Sequence, residues 1–99
     1  MRLSQKQIEA IKNAFDKVFV QGRVILFGSR LDDTKKGGDI DIYIDPALMF
    51  EDLFAKKVAF LVELKSQIGD QKVDLVLAPF ASSDLKREIE NTGVTLWRN

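Results

Sequence analysis

Apolar residues near the start of the chain recur with a helical period. Ile8, Ile11, Phe15 and Val18 step by 3, 4 and 3 positions, the spacing of a core-facing stripe. Ser4 with Gln7 three residues later has the form of a capping box that opens this helix, and Gly22 suits its exit near Val20. The period then changes. "RVILFGS" is β-branched, apolar and too short for a helix, so it predicts a buried strand. "RLDDTKKGG" is polar and ends in glycine, with a helical turn opening at Ser29. From Asp39 the alternation is strict: Ile40, Ile42 and Ile44 share one face, and Asp39, Asp41, Tyr43 and Asp45 share the other.

Asp45-Pro46 has the form of an N-cap and first helical residue. It predicts a long helix over roughly residues 46–68, with Phe50, Leu53, Phe54, Leu61, Leu64 and Ile68 as its apolar stripe and Gly69-Asp70 as its end. "KVDLVLA" predicts a third strand, with Val73, Leu75 and Leu77 on one face, Asp74 and Val76 on the other, and Pro79 as its stop. "SSDLKREIENTG" reads as a short helix capped by Ser82 or Ser83 and closed by Gly93. "VTLW" is a last short strand. The order α-β-(α)-β-α-β-α-β, without linker, repeat or low-complexity segment, predicts one domain over residues 1–99. Its expected class is α/β: a small two-layer sandwich, a mixed three- to four-stranded sheet with helices packed on one face. The connection between the first two strands is short for a full parallel crossover, so that pair is expected to be antiparallel.

Composition narrows the chemistry. Hydrophobic residues make up 45% of the 99, enough for a core, but at this length the folding margin is thin and a partner or homo-oligomer is expected to add stability. Fifteen Lys and Arg balance fifteen Asp and Glu, which argues against a broad electrostatic grip on nucleic acid or on an anionic membrane. The chain has no cysteine and no histidine. Disulfides, Cys-ligated zinc, imidazole ligands and Ser-His or Cys-His dyads are thereby excluded. Any metal must be a hard, oxygen-liking cation such as magnesium or manganese. The apolar runs are far too short to span a membrane and the N-terminus lacks a signal-peptide pattern, so a soluble cytoplasmic protein is expected.

Asp39, Asp41 and Asp74 are the acidic residues expected inside strands, with Asp45 at a strand end. Asp39 and Asp41 fall on one face, roughly 6.5–7 Å apart along the strand, and Asp74 joins them if the third strand pairs with the second. Two unit charges 4 Å apart cost about 4 kcal/mol at an effective dielectric near 20, and no Lys or Arg alternates with these carboxylates on the strands. A bound divalent cation, or two, turns that repulsion into coordination. Two magnesium ions on shared carboxylates are the device of in-line phosphoryl or nucleotidyl transfer. Gly28 allows the backbone close to a phosphate, Ser29 offers an N–H and a hydroxyl, and Arg30 is placed for a charge-assisted contact. There is no Walker A loop and no G-x-G-x-x-G fingerprint.

At "GSRLDDTKKGGDID" and the later "VDLVLA" the chain resembles the minimal nucleotidyltransferases of the DNA polymerase beta-like superfamily. Their signature is Gly-Ser, a spacer, Asp-x-Asp and a third acidic residue on a later strand, and the resemblance extends over nearly the whole chain. It implies that Gly28 and Ser29 hold the nucleotide phosphates and that Asp39 and Asp41 ligate both metals. Asp74 would complete the metal site and help to deprotonate the acceptor hydroxyl. The spacer from Arg30 to Gly38 has nine residues, one fewer than the family's commonest form, and Gly38 stands where a serine often precedes the first aspartate. Members of this size are commonly paired with a helical HEPN-type partner in a toxin–antitoxin system. The implied reaction is transfer of AMP from ATP to a tyrosine of that partner.

Blander readings stand beside these. A solvated outer strand face is the lesser alternative for Asp39, Asp41 and Asp74, and Asp45 reads first as a helix cap. Asp32 and Asp33 read as loop solvation; Lys35 and Lys36 read as a solvated pair or as triphosphate contacts. Tyr43 either stacks on a nucleobase or packs against a neighbouring strand, and Trp97 either anchors a partner or closes the core. The rival functional class is a binding module that neutralises a partner by contact, without turnover.

Overall fold

The computed structural model describes residues 3–31 and 38–98. Helix α1, Gln5–Val18, opens on the expected capping box: Ser4 Oγ accepts from the Gln7 N–H at 3.1 Å, and Gln7 Oε1 accepts from the Ser4 N–H at 2.9 Å. The helix stops two residues earlier than Val20. Phe19 caps it, and the turn is made at Val20 (φ 71°) rather than at Gly22. Strand β1, Gly22–Phe27, follows, then a single 3-10 turn over Gly28–Leu31, where the sequence placed a helical turn.

Strand β2 spans Ile40–Pro46 and helix α2 spans Leu53–Ile68. The helix therefore does not begin at Pro46, and Asp45 is not its cap. Asp45 lies opposite Arg23 in the antiparallel β1–β2 ladder, and the Ala47 N–H still bonds the Gln21 carbonyl at 2.9 Å. Sheet pairing holds the chain extended past the proline. The N-cap is Asp52, whose carboxylate accepts from the Ala55 N–H at 3.0 Å. Strand β3 is Val73–Leu77, helix α3 is Ser83–Thr92 with Ser82 as N-cap, and strand β4 is Val94–Arg98.

The sheet order is β3-β2-β1-β4, mixed as expected: β1 runs antiparallel to β2 and β4, and β2 runs parallel to β3. One face carries Val24, Leu26, Ile40, Ile42, Ile44, Leu75 and Leu77, buried under α1 and α2. Phe15, Phe19 and Phe60 fill the middle, and the Trp97 ring meets Phe15 edge-on at 5.9 Å, closing this core. The placement of every helix on one face needs correction. Helix α3 lies on the opposite face, where Ile89 and Leu85 pack with Ile25, Phe27, Tyr43, Val76 and Ala78. On α2 the stripe shifts as well: Phe60 and Leu64 are buried, whereas Phe54 is 64% exposed. Among the described residues no helix is long and apolar enough to cross a membrane.

Candidate functional site

The aspartates collect where β1, β2 and β3 lie side by side. Phe27, Asp41 and Asp74 form one row across the three strands. In-register neighbours on adjacent strands sit about 4.8 Å apart and point to the same face, so Asp41 and Asp74 share the face that α3 partly covers. Asp39, expected inside the strand, instead lies just ahead of β2, which begins at Ile40. Asp39 and Asp41 are half-buried and Asp74 is exposed. The local cause is the β-branched alternation of β2, which sends Ile40, Ile42 and Ile44 into the core and leaves the intervening positions on the other side.

A cation does stand near this group. Lys72, just before β3, brings its Nζ to 3.5 Å from Asp39 Oδ2, with 78% of its side chain exposed. So exposed a pair is screened and weak, but it lowers the repulsion that the bare sequence implied. The register that brings Lys72 there is not legible from local pattern.

Gly28 is the tightest point of the site. Its φ is +78°, and a Cβ built on it would lie 2.1 Å from Asp41 Oδ2 and 2.9 Å from Asp41 Cγ. The Asp41 carboxylate thus rests on the backbone at the start of the 3-10 turn. Ser29 and Arg30 belong to that turn, which places them beside the aspartate row. A cleft of about 310 Å³ is lined by Gly28 with Phe27, Leu31, Leu85 and Ile89, and by Glu88 and Thr92 on α3. Asp32, Asp33, Lys35, Lys36 and Gly37 lie outside the described residues.

Two other residues on this face have structural work. Tyr43 is 2% exposed and packs with Ile25, Ala78 and Ile89, so it serves the core rather than a nucleobase. Burial pushes its hydroxyl pKa up, and the Asp45 and Glu90 carboxylates add to the shift. Asp45 accepts from Arg23 Nη2 at 2.7 Å and from Nε at 3.2 Å, and the same guanidinium binds Glu90 on α3. The hydrogen bonds to Asp45 and then Glu90 raise the Arg23 pKa. This three-residue clasp joins β1, β2 and α3. Sequence reading missed it because its members are far apart along the chain.

Among the described residues no three Asp, Glu, His or Cys side chains close into a ready-made metal cage. What the face offers is two carboxylates in register, Asp41 and Asp74, with Asp39 paired to Lys72. Magnesium takes one or two carboxylates plus substrate phosphates more often than an all-protein cage.

A family model described as "Polymerase beta, Nucleotidyltransferase" matches residues 9–99. No curated protein matches the chain at a significant level. Among solved structures, a toxin–antitoxin complex with AMP-PNP is 26% identical, with a TM-score of 0.74, covering 93% of this chain and 73% of that one. The complex of the tri-AMPylated Shewanella oneidensis HEPN toxin with MNT antitoxin is 24% identical, with a TM-score of 0.72, covering 98% and 74%. A variant MntA-HpeT toxin–antitoxin complex is 22% identical, with a TM-score of 0.73, covering 93% and 73%.

Proposed function

This chain belongs to the polymerase beta nucleotidyltransferase family, and from that membership we propose that it transfers AMP from ATP to an acceptor hydroxyl, as the antitoxin of an MNT/HEPN pair. The observation that carries the reading is the pairing of Asp41 and Asp74 in register on adjacent strands, with the Asp41 carboxylate seated against the positive-φ glycine Gly28. The likeness to a HEPN–MNT complex with an AMPylated toxin and to a complex holding AMP-PNP supports ATP and a HEPN-type helical protein as the two partners.

In this proposal the amides and hydroxyl at Gly28-Ser29, with Arg30, hold the triphosphate. Asp39, Asp41 and Asp74 would hold magnesium, two ions in the full site, with manganese as a substitute. When bound, the metal neutralises phosphate charge and favours the ionised acceptor. The acceptor oxygen forms a bond to the α-phosphorus as the bond from that phosphorus to the bridging oxygen breaks. Pyrophosphate leaves, and the hydroxyl proton passes to Asp74. Asp41 is kept in place by its seat on Gly28, and Lys72 restrains Asp39. The setting in which such a pair acts is the cytoplasm.

Incubation with labelled ATP, magnesium and a HEPN-type protein tests the reading. Label is expected on the partner, and Asp41→Asn is expected to abolish it. Undiminished label with Asp41→Asn removes the proposed site. Neutralisation of the partner without any label makes the chain a contact inhibitor instead.

A further inference from the structure

The backbone itself holds Lys72 beside the aspartates. The Ile40 N–H donates to the Lys72 carbonyl at 3.0 Å, and the next residue, Val73, is the register partner of Ile40 in the parallel β2–β3 pair. Lys72 therefore stands next to Asp39 whenever the sheet is formed, two positions ahead of Asp74. Its stem carries Nζ to 3.5 Å from Asp39 Oδ2, with 78% of the lysine side chain and 38% of the aspartate side chain exposed.

Asp39 is also one of the three carboxylates assigned above to magnesium, so one negative charge has two cationic claimants. The two cations repel each other, and binding either one weakens the other by the same factor. The chemistry of the contact suits exchange. An exposed pair of this kind is worth a factor of roughly 1.4–5 in an equilibrium, and a displaced ammonium returns to water. The same sheet carries a contrasting pair built to stay closed. Arg23 gives Asp45 two N–H donors, at 2.7 Å and 3.2 Å, with only 27% of its side chain exposed. A guanidinium grips a carboxylate through several fixed donors, whereas a lysine is a mobile point charge. Lys72 has the properties of the second kind.

Resting on the nucleotidyl-transfer reading above, we infer that Lys72 is the counter-cation of the metal-free site. It restrains and neutralises Asp39 until a divalent cation takes that carboxylate, and by competing for it Lys72 sets how tightly the site binds metal.

Manganese binding to the full chain tests this, followed by the relaxation of water protons without nucleotide or partner. Lys72→Gln should bind manganese about threefold more tightly than wild type, and the gain should shrink as salt screens the contact. Lys72→Arg, which keeps a cation beside Asp39, should stay within about twofold of wild type. Gln71→Lys combined with Lys72→Gln preserves net charge but moves it one residue along the chain, and should bind as tightly as Lys72→Gln alone. Lys72 is exposed, so these variants keep the fold, which circular dichroism checks. A Lys72→Gln affinity equal to that of wild type overturns the inference. So does a transposed chain that returns to wild-type affinity, because a diffuse field would then replace the contact. Manganese uptake that is normal but indifferent to Lys72 sinks the competition alone, whereas a wild-type chain that takes up no manganese removes the metal reading of Asp39, Asp41 and Asp74 as well.

Discussion

Gly28→Ala separates two roles of one glycine, because Gly69 supplies the control. Both glycines have positive φ, +78° and +81°, but a Cβ at Gly69 meets nothing within 4 Å, whereas at Gly28 it meets Asp41 Oδ2 at 2.1 Å. Alanine in such a backbone region costs about 1–3 kcal/mol, and each kcal/mol is worth roughly 4–8 °C of Tm in a domain of this size. Gly69→Ala should show that loss and nothing else, with nucleotidyl transfer per folded molecule unchanged. At Gly28 the strain is joined by a collision. Cβ atoms essentially never come within 3.0 Å of such a neighbour, so the flexible Asp41 side chain must retreat by about 1 Å, a displacement that can cost on the order of 100-fold in rate. Thermal melts and initial rates of label transfer at saturating ATP, measured on both variants, give the comparison. Similar Tm losses with transfer reduced about 100-fold only in Gly28→Ala are expected. Transfer by Gly28→Ala within about threefold of wild type would refute the claim that the seat on Gly28 positions Asp41 for chemistry.

Asp74→Asn should raise the Tm of the metal-free protein by a few degrees, because like charges facing across strands destabilise by about 0.2–1 kcal/mol; it should also abolish the Tm rise caused by magnesium with nucleotide, and a preserved rise would count against Asp74 as a ligand. Asp39→Asn should leave the metal-free Tm nearly unchanged, since it gives up the Lys72 contact along with the repulsion. The chain has one tyrosine, so ultraviolet phenolate absorbance reports Tyr43 directly. Its native midpoint should lie above the usual value of about 10, and that of the unfolded chain at it. The native hydroxyl keeps its proton to higher pH than the unfolded one. Its contribution to stability is therefore complete below pH about 10 and is lost as pH rises through the native midpoint. Tyr43→Phe should flatten that alkaline loss, and a native midpoint at the usual value would show the burial argument to be wrong.

Short-range patterns on this chain determined much of the molecule. The stripe from Ile8 to Val18, the alternation from Ile40 to Ile44 and the Ser4 and Ser82 caps depend on the sterics and hydrogen bonding of a few adjacent residues, so α1, β2 and α3 are legible without their surroundings. The same holds for the sidedness of Asp41, because period two leaves it no other face once the isoleucines are buried. Asp45-Pro46 shows where such reading stops. Its local form suits a helix start, yet the ladder with β1 and the clasp by Arg23 keep it extended, and Asp52 takes the cap. Pairing across the fold decided the rest: that β3 lies parallel to β2 with Asp74 opposite Asp41, that Lys72 reaches Asp39, that Asp41 rests on Gly28, and that α3 covers the aspartate side. Each of these joins residues distant along the chain, and the burial of both sheet faces selects them together.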